Sequence, residues 1–405
     1  MIVRKIREEE IRRAQEVFHL SFEFRMEDER SNEEMRRDLR ETPCGRFDRF
    51  YGERWAAFED DDKTMMSVIT ATPFPVYFDG QVVPMRGIGG VSTLPPYRRR
   101  GAVRACLAAA LRQMREEGTL FSYLYPFSAA YYAQFGYGRA CERLTAWIPI
   151  ADRLPFPETG GGASLVEKGR HIGAYRAVYD AFAARYNLMV AREEIDYEPL
   201  RCARPERDGR YTYVWHSAAG VPKGAMTFRR ENRVLRCEEF FFTDAEGFRG
   251  LLNLAHAFRS YADLLEAGLP PDRPVVSLVP DWDAAGARRE LEFRGMVRVI
   301  DVQKVLRLAR YRGDGRAVVA VRDELLPENT GAYRVVYRDG RAAEVCPTGE
   351  APDVALEIAA FSRLIAGTAS LEELCFAGLV PERAAASEAL RGIFYPKPNF
   401  IANSF

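Results

Sequence analysis

The chain has 405 residues, 47% of them hydrophobic, and 58 basic side chains balance 58 acidic ones to a formal net charge of zero. That length suits two or three domains with ordinary cores, and the balance removes the bulk attraction by which basic proteins hold nucleic acid. Four histidines, none at metal-ligand spacing, and seven cysteines with no C-x-x-C pair give no metal centre, and the odd, scattered count predicts reduced thiols.

The opening MIVRKIREEEIRRAQ lacks the apolar run of a secretory signal. No stretch approaches the ~20 apolar residues of a membrane span. With the thiols, this predicts a cytoplasmic protein. Residues Glu8–Phe22 read as an amphipathic helix, with Ile11, Ala14, Val17, Phe18 and Phe22 on one face. An acidic patch follows at Glu23, Glu27, Asp28 and Glu29. Trp55–Phe58 and Met65–Thr72 read as paired strands joined by Glu59-Asp60-Asp61-Asp62-Lys63, whose aspartates fit a solvated hairpin tip better than a metal site. Asp79-Gly80 signals a tight turn between strands Val76–Phe78 and Gln81–Met85. Ile88–Thr93 is the next strand, and Gly87, Gly89 and Gly90 predict a bulge in it.

After that strand comes Arg98-Arg99-Arg100-Gly101, directly before a helix marked by Val103, Cys106, Leu107, Ala110, Leu111 and Met114, with Gly118 as its stop. The first turn of a helix has unpaired N–H groups and a partial positive charge. Three arginines and a glycine there seat a diphosphate. Phe121–Tyr125 reads as a buried strand stopped by Pro126. Ser128 is an N-cap for a short helix that ends before Gly136. Tyr132 then lies on a short helix just beyond a strand end, where ligands of open α/β sheets collect.

The Arg98–Gly101 turn with its helix resembles motif A of the GNAT acyltransferases, R-x-x-G-x-G/A, with Val103 standing where the motif has Gly or Ala. Together with YYAQFGYG at 131–138 it resembles the enhanced-intracellular-survival (Eis) type of N-acetyltransferase. The resemblance implies that acetyl-CoA is the co-substrate. It places the cofactor contacts at Val91, Ser92, Thr93, Arg98, Arg99, Arg100, Gly101, Ala102, Val103, Arg104, Phe127 and Ser128. Pantetheine would pair with the backbone of Val91 and Thr93. It also implies tandem GNAT folds, mixed twisted sheets with flanking helices in the α+β and α/β classes, and a C-terminal sterol-carrier-protein-like α+β domain. The acidic patch after the first helix would border the acceptor pocket and attract an ammonium group, or simply solvate a helix end.

The rest of the chain fits that plan. Leu144–Ile150 closes a first unit, 1–150, as a strand. Pro155, Pro157 and Gly160-Gly161-Gly162 mark a linker. A second unit, 151–290, has a helix at Ile172–Tyr186 and strands at Tyr211–His216, Gly224–Arg230 and Val234–Phe242. A helix over Asp244–Glu266 and a strand at Val275–Leu278 follow. No basic glycine turn opens the helix at Gly247, so the resemblance implies a GNAT-like domain without a CoA motif. The third unit, 291–405, has a helix through Leu308 and strands Ala317–Asp323, Ala332–Tyr337 and Ala342–Cys346, the last two joined by Asp339-Gly340. A helix over Asp353–Ala366 and another from Thr368 complete it. In other proteins its fold holds a lipid; here a structural role is favoured. The apolar tail PKPNFIANSF is expected to pack.

Acetyl transfer to an amine needs a base, a stabilised carbonyl oxygen and a proton for the leaving thiolate. By resemblance, the α-carboxylate of Phe405 is the base and Tyr132 protonates the sulfur. A carboxylate with an ordinary pKa of ~3.5 is ionised at neutral pH and a phenol at ~10 is not. Tyr131 is the alternative, expected to face the core. The backbone near Val91 offers an N–H to the carbonyl. Cys106 lies on the inward face of its helix, so an acyl-cysteine is not expected and transfer in a ternary complex is. The expected acceptor is a primary amine of a cationic, aminoglycoside-like small molecule or of lysine, with a homohexamer implied by resemblance. Two rivals are a peptide N-myristoyltransferase and a non-catalytic lipid- or partner-binding protein with a relic GNAT domain.

Overall fold

The computed structural model describes residues 1–23, 31, 33–34, 53–150, 160–273 and 286–403. The chain divides into two compact units: Met1–Ala140 joins Gly295–Lys397 and Asn403 in one, and Cys141–Arg294 joins Pro398–Ala402 in the other.

The first unit opens with β1 (Ile2–Lys5), α1 (Ile11–Phe22) and β2 (Arg54–Phe58). Helix α1 buries Ile11, Ala14 and Val17 of the stripe its periodicity predicts, whereas Phe18 is half-buried and Phe22 is exposed. The loop to β3 (Met65–Phe78) uses its aspartates internally: Asp61 accepts the amides of Lys63 and Thr64, and Asp62 pairs with Arg4 and Arg7. Strands β3 and β4 (Gln81–Thr93) each absorb two segments that the sequence breaks apart. Pro73 and Pro75 do not interrupt β3, because its pairing with β2 ends at Thr70 and the prolines lie where that edge is free of β2. The Asp79-Gly80 turn is as predicted, with both residues at positive φ.

Next come α2 (Ala102–Glu116), β5 (Phe121–Leu124), α3 (Ala129–Ala133) and β6 (Gly138–Arg139). Cys106, Leu107, Ala110, Leu111 and Met114 of α2 are buried against Ala57, Ile69, Ala71 and Ile88. Strand β5 runs parallel to β4, and the pairing stops at Ile88–Leu124. Beyond it, Gly89–Thr93 continues with no β5 partner, so that edge of β4 lies open at the C-terminal end of β5. The predicted bulge is there: the β3–β4 register slips between Val68 and Thr70, and Gly90 sits at φ +56°, which a side chain rarely adopts.

The second unit contains β7 (Glu142–Pro149), β8 (Gly161–Leu165), α4 (Ile172–Ala183), β9 (Arg210–Ser217), β10 (Pro222–Glu231), β11 (Val234–Phe242), α5 (Ala245–His256), β12 (Leu264–Leu269) and β13 (Arg288–Phe293). Its sheet has the order β13-β7-β12-β11-β10-β9-β8. Strand β7, expected to close the first sheet, instead pairs with β12 and β13 of this one. The helix expected over Asp244–Glu266 stops at His256, and Leu264–Leu269 is a strand that alternates buried and half-buried residues. The strand expected at Val275–Leu278 lies outside the described residues.

The chain then returns to the first unit. β14 (Met296–Val299) enters its sheet, which runs β1-β2-β3-β4-β5-β14-β6. The first seven-stranded sheet is therefore completed by a strand from beyond Met1–Ala140, whereas every strand of the second lies within Cys141–Arg294. After α6 (Val302–Leu308), capped by Asp301, come β15 (Gly315–Arg322), β16 (Gly331–Arg338), β17 (Arg341–Thr348) and β18 (Val354–Glu357). They form a sheet of order β17-β16-β15-β18. The segment from Asp353, expected to be all helix, begins as β18 because Val354 and Leu356 are buried while Ala355 and Glu357 are exposed. Helix α7 (Ile358–Ala366) follows directly, then α8 (Leu371–Phe376), capped by Ser370. The tail packs as expected: Phe400 and Ile401 are buried, and Asn187 bridges Asn399 within the second unit.

Candidate active site

The basic turn between β4 and α2 has the backbone of an anion seat. Arg99 and Gly101 both lie at positive φ, +63° and +80°. No side chain caps α2, and its first turn contains no acidic residue. Its first amides thus keep their donors unpaired and the helix dipole uncompensated. A Cβ on Gly101 would meet no atom within 4 Å, so the glycine serves the φ angle and an open approach rather than close packing.

This turn opens onto a cavity of about 560 Å³. The open edge of β4 contributes Val91, Ser92 and Thr93, and the turn and α2 contribute Arg98, Arg99, Gly101, Ala102, Val103 and Arg104. Phe127 forms part of the far wall and is 73% exposed. Of the twelve residues expected at a cofactor, ten line this space. Arg100 and Ser128 do not. Arg100 turns toward Glu59 at 3.2 Å and Tyr97. Ser128 accepts from the Tyr131 amide and caps α3, the role its residue type predicts. Ser21, Phe22, Tyr97, Tyr131, Gln134 and Phe135 complete the lining. They arrive from α1, the loop before the basic turn and α3, and the motif alone does not point to them. Among the described residues, all charged side chains in the lining are arginines.

The two tyrosines exchange the surroundings expected of them. Tyr131 is half-buried and lines the cavity, contrary to its expected core-facing position. Tyr132 is only 3% exposed and packs among Phe127, Tyr131, Phe135 and Tyr137. Burial, helped by Tyr131 and Tyr137, pushes the Tyr132 phenol above its ordinary range, and burial alone raises Tyr131. Both hydroxyls stay protonated at neutral pH. Cys106 is fully buried, and burial pushes its thiol up to about 12, so it is neither accessible nor ionised.

The equivalent helix of the second unit is built differently. Asp244 caps α5 by accepting the Gly247 amide at 2.9 Å, and Lys223 reaches both Asp244 and Glu246. A carboxylate already fills the position that a phosphate would take at α2. Phe405, Glu27, Asp28 and Glu29 lie outside the described residues. Among the described residues no group of three metal-ligating side chains converges, and no helix is long and apolar enough to cross a membrane.

An open β4 edge, an uncapped arginine-flanked helix and a cavity that joins them define an acyltransferase of the GNAT class. Comparisons agree. Models of acetyltransferase (GNAT) domains match residues 2–140 and 188–299, and a sterol carrier protein domain model matches 302–402. An N-acetyltransferase of Streptomyces avermitilis is 26% identical over 75% of this chain and 77% of its own. N-acetyltransferase Eis of Mycobacterium tuberculosis is 25% identical over 68% of this chain and 69% of its own. In fold, Eis1 from Mycobacterium abscessus superposes with a TM-score of 0.79 over all of both chains at 21% identity. A probable N-acyltransferase from Enterococcus faecalis reaches 0.85 at 19%, covering 100% of this chain and 99% of its own. The chain thus carries GNAT acetyltransferase domains and a C-terminal sterol carrier protein domain, and over about two thirds of its length it is similar to Eis-type N-acetyltransferases.

Proposed function

We propose that the cavity binds acetyl-CoA and that the enzyme transfers its acetyl group directly to a primary amine within a ternary complex. The observation that carries this reading is the acid-free, uncapped start of α2 opening onto a cavity whose charged lining, among the described residues, is Arg98, Arg99 and Arg104. In this reading the first amides of α2 hold the diphosphate, and the Val91–Thr93 edge pairs with the pantetheine amides. The amine nitrogen attacks the thioester carbon, a C–N bond forms and the C–S bond breaks. The α-carboxylate of Phe405 takes the ammonium proton, and Tyr132 gives its proton to the departing sulfur.

The acceptor in this proposal is an amine on a cationic small molecule or a lysine side chain. Residues 1–150 carry the donor site, 151–290 a GNAT-like module without a diphosphate seat, and 291–405 a structural sterol-carrier-like module. A cytoplasmic homohexamer is part of the same reading. The test is calorimetric titration with CoA followed by thiol-release assays with acetyl-CoA and a panel of amines. Binding together with amine-dependent thiol release is expected. No CoA binding would overturn the reading.

A further inference from the structure

Ser21 stands in the last turn of α1 and lines the cavity, with its hydroxyl oxygen buried and without a hydrogen-bond partner among the described residues. A serine so placed in a helix ordinarily returns its O–H to the carbonyl four residues earlier, here Val17. An unmade bond on a buried hydroxyl is costly, so natural sequences rarely leave one without a use. Its place over β4 follows from its neighbours. Phe18, three residues earlier and hence on the same face of α1, backs the bulge in β4: a Cβ on Gly90 would lie 3.7 Å from its ring. Ser21 and the open β4 edge at Val91–Thr93 line the same cavity.

We propose that the Ser21 hydroxyl donates a hydrogen bond to the carbonyl oxygen of the bound acyl group. This rests on the reading that the cavity takes an acyl-CoA. As the amine attacks, the C=O electron pair moves onto that oxygen, and it returns when the C–S bond breaks. Ser21 keeps its proton throughout and binds most strongly while the oxygen is anionic. A hydroxyl on α1 acts here beside backbone donors on β4, so the developing charge is held from two sides.

The test is Ser21→Ala, read in three ways. Turnover of acetyl-CoA should fall about 10- to 100-fold in kcat. Affinity for free CoA, which has no acyl carbonyl, should stay within about twofold. The melting temperature should hold or rise, because the variant removes a buried hydroxyl that bonds to nothing. A variant that turns over within about twofold of the parent overturns the inference alone. So does one whose melting temperature and CoA affinity fall along with kcat, since that marks a packing role. A parent that releases no thiol from acetyl-CoA overturns the acyl-CoA reading and this inference with it.

Discussion

Arg298 Nε donates to the carbonyl oxygen of Phe135 at 2.9 Å, which ties the aromatic wall of the cavity to strand β14 across 163 positions of sequence. Phe135 lines the cavity, while the guanidinium is fully buried and pairs with Asp323 at 2.6 Å. Asp323 in turn accepts the amides of Leu325 and Leu326 and the side-chain amide of Asn329. The strand that completes the first sheet thus also holds the far side of the site.

That arrangement makes Arg298→Met costly. The substitution leaves Asp323 as a buried charge without its counter-ion, and breaking one side of such a pair costs about 3–5 kcal/mol. Urea unfolding should show that loss. Arg298→Met combined with Asp323→Asn should recover part of it, since no charge is then stranded. A single variant as stable as the parent would show that the pair contributes little.

The arginines of the turn separate by what they face. Arg98, Arg99 and Arg104 line the cavity, whereas Arg100 faces Glu59. A hydrogen bond to a charged group is worth about 1.5–3 kcal/mol. Arg98→Gln or Arg99→Gln should therefore weaken CoA binding by roughly 10-fold or more, and raised salt should narrow the difference. Arg100→Gln should leave the dissociation constant nearly unchanged. Equal losses at all of these positions would mean that the turn acts by net charge and not by direction.

Much of this site is legible in the sequence because it is local. Arg98–Gly101, the periodicity of α2, the Ser128 cap and the Asp79-Gly80 turn are each set by a few adjacent residues. What escapes is what long-range pairing decides. Strand β7 looks like the last strand of its own unit, and nothing in Leu144–Ile150 says that Leu264–Leu269 is its partner. Strand β18 is four residues long, too short for its alternation to stand out before the apolar helix that follows. Ser21 and Phe22 reach the cavity only because α1 packs over the β4 bulge. Tyr131 and Tyr132 are adjacent in a short helix, and no pattern over five residues decides which one faces the opening.

The second unit should be sensitive to acid. Glu239 is buried, which alone would raise its pKa, but the Arg192 charge beside it and hydrogen bonds from Tyr175 and Arg192 outweigh that and hold it below the ordinary value. A depressed folded-state pKa contributes stability that is present above the unfolded value, about 4.3, and is lost as pH falls through the folded one. Thermal melts should weaken steadily below about pH 4. Glu239→Gln should be less stable than the parent at pH 7 and lose less on acidification, since the group that takes up the proton is gone. Parallel pH profiles for the two proteins would remove Glu239 from the explanation.

The assignment of the proton donor and the base comes down to which groups act on the sulfur and the amine. Tyr132 is nearly sealed and Tyr131 lies on the cavity, so removing each hydroxyl discriminates between them. If Tyr132 protonates the thiolate, Tyr132→Phe should lower kcat at least about tenfold with little change in KM, because the ring and its aromatic packing remain. Tyr131→Phe should change kcat little. The reverse pattern would move the role to Tyr131, whose exposure to the cavity makes it the natural rival. Tyr125 donates its hydroxyl hydrogen to the Asn403 carbonyl, which holds Asn403 beside the residue that follows β5. With the α-carboxylate of Phe405 as base, a short C-terminal extension should abolish turnover while CoA affinity survives. An extended enzyme that keeps full activity would take the carboxylate out of the mechanism and leave the ammonium to lose its proton to another group or to water.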